Sequence, residues 1–103
     1  MKRALYWGAM KYFALFYDVV DGFAERRMPH RELHLNMVRE AHDRGHIALA
    51  GALGEPPDRA LIVFRVDDVA VVEKFAQTDP YVAHGLVTRW EVKPWNVVVG
   101  SPQ

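Results

Sequence analysis

Cysteine occurs nowhere among the 103 residues. Disulfide staples, thiol nucleophiles and cysteine-ligated metals are thereby excluded, and the chain fits a reducing compartment. An excess of charge of either sign is missing too, since 13 Lys and Arg balance 13 Asp and Glu. Such a chain has no global field to draw in a nucleic-acid backbone or an anionic membrane surface, so neither is expected as a partner, and a small molecule suits it better. Long hydrophobic runs are absent as well. The opening MKRALYWGAM falls far short of a secretory segment or a spanning helix, and the expectation is a soluble cytoplasmic protein. The regular pattern begins only at Lys11, and Met10 can itself be an initiator. Residues 1–9 are therefore read as an extension or a start-site ambiguity, and residues 10–100 as one domain. Half of the residues are apolar, enough for one compact core, and there is no internal repeat, linker or low-complexity tract.

The aromatic run Lys11 to Tyr17 (KYFALFY) is apolar on both faces, a composition that favours a strand. Arg26 to Arg44 has helical spacing, with Gly45 placed as a left-handed stop. His46 to Leu53 and Ala60 to Val66 read as a hairpin around Gly54-Glu55-Pro56-Pro57-Asp58-Arg59, whose prolines and glycine exclude pairing within the loop. Asp67 or Asp68 caps a second helix through about Gln77, and Asp79-Pro80 starts one further turn that Gly85 ends. Leu86 to Lys93 then alternates as a half-exposed strand. The order strand, helix, strand, strand, helix, strand is an α+β, ferredoxin-like split βαβ (βαββαβ). Two helices cover one face of a four-stranded sheet. The apolar second face calls for a partner, and a homodimer formed sheet to sheet is the economical one, with Trp95 to Val99 as a further strand across the interface.

On a helical wheel at about 100° per residue, Leu33, Met37, Ala41, His34 and Val38 share one arc of about 140°, opposite Glu32, Asn36, Arg39, Glu40 and Asp43. An imidazole in an apolar stripe needs a hydrogen-bond partner, and a satisfied core histidine is the plain alternative to a functional one. Asp79 has a plain reading too, as a helix cap. His30 and His34, like His42 and His46, are spaced four apart, which suits two ligands on one ion. No third ligand is spaced with either pair, Gly45 separates the second, and no metal is assigned. The GALG at Gly51 to Gly54 lacks the lysine and hydroxyl of a phosphate loop and reads as a turn. Arg27, Arg31, Arg89, Trp90 and Trp95 offer guanidinium and ring contacts to an anionic aromatic ligand, or are surface arginines and packed indoles.

Three segments, RRMPHRELHL, LAGAL and DPYVAHGLVTRWEVKPW, resemble the YCII-related (YciI-like) family in order and spacing. The resemblance spans about Met10 to Gly100. The DPYV leading to a tryptophan-bearing strand and a closing Lys-Pro-Trp is its most specific part. It implies a ferredoxin-like fold paired into a dimeric α/β barrel, with a His and an Asp as a catalytic or ligand-binding pair. Those positions correspond to His34 and Asp79, and the helix arginine to Arg31. The family's frequent Gly-Pro after the second strand is replaced by Gly51-Ala52. One branch removes chloride from a chlorinated hydroxyhydroquinone, and related barrels act on lactones and quinones. A carboxylate that orients an imidazole makes it a general base near neutral pH. Two readings follow. One is a cofactor-independent lyase or isomerase acting on a small aromatic, quinone-like or lactone substrate, with catalytic His34 and Asp79 and with Arg31 and Trp90 binding substrate. The other is a non-catalytic dimer that binds a small aromatic or acidic molecule.

Overall fold

Four aromatic residues, Tyr12, Phe13, Phe16 and Tyr17, dominate Lys11–Val19 (β1), and the computed structural model, which describes residues 11–100, places this strand inside the sheet. It pairs antiparallel with Arg59–Val66 (β3) on one side and Val87–Trp95 (β4) on the other. Ile47–Leu53 (β2) adds to β3, giving the order β2-β3-β1-β4. Flanked by β3 and β4, the strand has both edges paired; Phe13, Leu15 and Tyr17 of its apolar run point to one face and are buried, while Tyr12 and Phe16 point to the other and are part-buried. The result is an antiparallel α+β sheet of ferredoxin-like order. The expected extension at residues 1–9 lies outside the described residues.

The long helix expected over Arg26 to Arg44 is instead three pieces. Gly22, at φ 73°, opens a single turn at Phe23–Arg26 (α1), a 3₁₀ turn follows at Met28–His30, and Arg31–Asp43 (α2) is the helix proper. Pro29 is the cause. It lacks an N–H and its ring collides with the carbonyl four residues back, so a helix cannot run through it. Gly45, at φ 82°, closes α2. Val69–Thr78 (α3) begins on Asp68, whose carboxylate accepts the Ala70 amide at 2.9 Å, and Pro80–Ala83 (α4) begins on Asp79.

One face of the sheet presents Phe13, Leu15, Tyr17, Ile62 and Phe64 to the helices, which return Phe23, Ala41, Val72, Phe75 and Ala76. Phe64 meets Phe75 edge-on at 5.3 Å, a favoured aromatic geometry. The apolar stripe of α2 is narrower than the wheel suggests. Its centre is Ala41 and His34, and Leu33, about 90° away on the wheel, is 64% exposed.

The second face carries Tyr12, Ala14 and Phe16 on β1, Leu61 and Val63 on β3 and Leu49 on β2, as the cross-strand register requires. Trp95, Val97 and Val99 come alongside, and with Tyr12, Leu49, Leu61 and Val63 they line a hollow of about 270 Å³. Residues 96–98 belong to no strand within the chain. Asp18 rims this face with Arg59 at 3.0 Å and Arg89 at 3.5 Å.

The packing predicts a sharp contrast in urea unfolding. Phe64→Ala empties the centre of the core and is expected to cost about 3–5 kcal/mol, whereas Leu33→Lys changes stability by no more than about 0.5 kcal/mol.

Candidate functional site

Asp79 begins as a helix start. Its extended backbone and the fixed φ of Pro80 turn the chain into α4, and Oδ1 accepts the Tyr81 amide at 3.0 Å. Yet the side chain has no exposure to solvent, so its capping role alone leaves acceptor capacity to be filled. Tyr17, from the centre of β1, donates its hydroxyl to Oδ2 at 2.7 Å. The imidazole of His34, from the apolar stripe of α2, brings Nδ1 to 2.9 Å from Oδ1 and 3.0 Å from Oδ2. Because a carboxylate only accepts, Nδ1 carries the proton. Neutral His34 therefore has its lone pair on Nε2, and Nε2 makes no hydrogen bond among the described residues. Tyr81 stacks beneath the ring at 3.8 Å, within 9° of parallel. The imidazole is held in its plane by one contact and in its tautomer by the other.

His34 opens onto a cavity of about 190 Å³ between α2 and the β2–β3 side of the sheet. Its floor is the small residues Ala50, Ala52 and Ala60, and its cationic side is Arg27 and Arg31. Burial, reinforced by the adjacent Asp79 charge and the hydrogen bond to it, holds the Tyr17 hydroxyl far above the ordinary tyrosine range. The Tyr81 hydroxyl is also raised by burial, with Arg27 and Arg31 opposing the shift. Tyr17 is thus a permanent donor to Asp79. The arrangement is an imidazole oriented by a buried carboxylate and facing a small cleft with positive charge on its wall.

The profile of the YCII-related domain family matches residues 10–96, nearly the whole chain. The chain belongs to that family. Solved structures of like fold include the following two. The 5-chloro-2-hydroxyhydroquinone dehydrochlorinase of Burkholderia phenoliruptrix, solved in complex with 2,5-dihydroxybenzoquinone, superposes with a TM-score of 0.69 at 16% identity, over 82% of this chain and 93% of its own. A conserved protein of Methanosarcina mazei gives a TM-score of 0.51 at 14% identity, over 87% and 96% of the two chains. No curated protein matches the chain in sequence.

Within this YCII-related domain, His34 and Asp79 are in direct contact and Arg31 lines the same cavity. Trp90 does not line it. It pairs with Tyr17 on the β4 side of β1 and packs against the core, while the cavity lies on the β3 side. Arg89 is paired with Asp18 and Glu91, and Trp95 stands on the opposite face of the sheet. His30 stacks on His84 at 4.1 Å, and no group of three metal-ligating side chains occurs among the described residues. No described helix is long and apolar enough to cross a membrane. Sequence reasoning missed Tyr17 and Tyr81. The first is one of two tyrosine hydroxyls in a doubly apolar strand, and the second sits two residues after a capping aspartate, so each left a local signal.

Both tyrosines have folded-state values above the ordinary value of about 10, so the folded domain holds these protons more tightly than the unfolded chain. Their contribution is complete below about pH 10 and declines as pH rises past it, by up to about 1.4 kcal/mol per pH unit for each group. Tyr17→Phe is expected to cost about 1–3 kcal/mol at neutral pH, because it strips a donor from a buried carboxylate. The same substitution should flatten the alkaline decline. Chemical unfolding at pH 7 and at pH 10–11 checks both.

Proposed function

We propose that this YCII-related domain is a cofactor-independent lyase or isomerase. In this reading Nε2 of His34 takes a proton from the substrate, Asp79 fixes the tautomer and stabilises the imidazolium that forms, and Arg31 holds an anionic group. The observation that carries the reading is the buried Asp79, which accepts from Tyr17, His34 and the Tyr81 amide at once and so leaves Nε2 unpartnered at the cavity. An apolar cleft of this size suits a small flat molecule, aromatic, quinone-like or lactone. Proton removal coupled to departure of an anionic leaving group changes no oxidation state overall and needs no redox cofactor. The dehydrochlorinase of like fold, with its bound quinone, makes halogenated hydroxyquinols the first substrates to try. Chloride release and ring-proton exchange are the readouts. His34→Ala is expected to lower kcat/KM by about 10²–10⁴-fold for any substrate that turns over. Full turnover without His34 would remove the catalytic reading and leave a ligand-binding domain.

The working unit in this proposal is a homodimer joined through the open sheet face. Leu49, at 65% exposure, and Trp95, at 46%, stand on that face around the hollow that residues 95–99 help to line. A second copy supplies an equally apolar surface. Sedimentation velocity at micromolar concentration is expected to give the mass of two chains, and Leu49→Glu to give one.

A further inference from the structure

Arg27 and Arg31 both line the cavity beside His34, and no acidic side chain lines it with them. Neither has a carboxylate within ion-pair distance among the described residues, whereas Arg44, Arg59 and Arg89 each do. The nearby carboxylate, Asp79, is already occupied by Tyr17, His34 and a backbone amide. The two arginines differ in one respect. The Nε–H of Arg27 is buried with no acceptor, its guanidinium resting 5.2 Å from the Phe23 ring centroid, while Arg31 has no buried donor left empty among the described residues. A buried donor left empty beside a ligand-sized space marks a place where an acceptor belongs.

The space is sized by alanines. Ala52 faces Ala60 across β2 and β3, and with Ala50 they leave a cavity of about 190 Å³. A dry cavity of about 150 Å³ accepts benzene, so one substituted ring fits here and a fused pair does not.

We infer that Arg27 selects the ligand by charge, and that the cavity takes a single-ring organic anion, a carboxylate or an acidic enol. The guanidinium turns on the Phe23 ring to bring its Nε edge to the anion, and the ring lies over the alanine floor. A planar fork that offers two parallel N–H groups matches two such oxygens. The inference rests on the His34 cavity being the ligand site. It does not require His34 to act as a base.

The probes are 4-fluorobenzoate and its uncharged isostere 4-fluorobenzamide, titrated against the full chain by ¹⁹F NMR. The benzoate is expected to bind at least about tenfold more tightly, the margin that a charge-assisted pair supplies. Arg27→Met should erase that margin without lowering Tm, since it removes an unfilled donor. Arg27→Lys, which keeps the charge and loses the fork, should retain part of it. Ala52→Leu should exclude both probes. Equal binding of the two probes, no binding of either, or an unchanged margin in Arg27→Met would overturn the inference. If His34→Ala, and not Arg27→Met, removes the margin, the imidazolium holds the anion; Arg27 then loses its role while the acid/base proposal stands. If turnover survives His34→Ala but the margin follows Arg27, the catalytic proposal fails and this inference holds.

Discussion

A carboxylate shut away from water has to be met by donors, and the positions of three elements depend on how Asp79 is met. Tyr17 reaches it from β1, His34 from α2, and the Tyr81 amide from α4. Residues 45 and 62 positions away in sequence converge on one side chain, so the contact ties the first strand to the second half of the chain. Charge-assisted hydrogen bonds at these distances are stronger than neutral ones, and an uncompensated charge in the same place would cost several kcal/mol. The site is therefore also a fastening of the fold. The proposed catalytic role of the His34–Asp79 pair is separable from this structural one only by readouts beyond stability.

The helical segment over the cavity is interrupted. A continuous helix from Arg26 would place Arg27 and Arg31 one turn apart along a single surface. Pro29 divides it, and Arg27, before the 3₁₀ turn at Met28–His30, and Arg31, after it, both line the same space. On the sheet side, Ala50, Ala52 and Ala60 stop short of filling that space. Small side chains in β2 and β3 thus set the floor.

Much of this was legible locally. The doubly apolar KYFALFY announces a strand, the proline-rich loop a hairpin, and Asp79-Pro80 a helix start, because each depends on backbone preferences acting over a few residues. The resemblance of DPYV and RRMPHRELHL to one family named His34, Asp79 and Arg31 together. Leu33 was misread because a wheel gives angles and not the width of the contact. The single long helix was misread because periodicity outweighed Pro29. Trp90 was placed with the pocket on chemistry alone, with nothing in the sequence to say on which side of β1 the cavity lies.

The sequence by itself determined the order of elements, the absence of thiol chemistry and the presence of a histidine out of character on an apolar helix face. Those follow from composition and local periodicity. Only the tertiary structure decided which hydroxyl completes Asp79, which nitrogen of His34 is left bare, and which of the arginines beside it holds a buried donor with no acceptor. Each is a matter of ångström-scale convergence between strands and helices distant in sequence, and hydrogen bonds that depend on distance and angle are not encoded in any one segment.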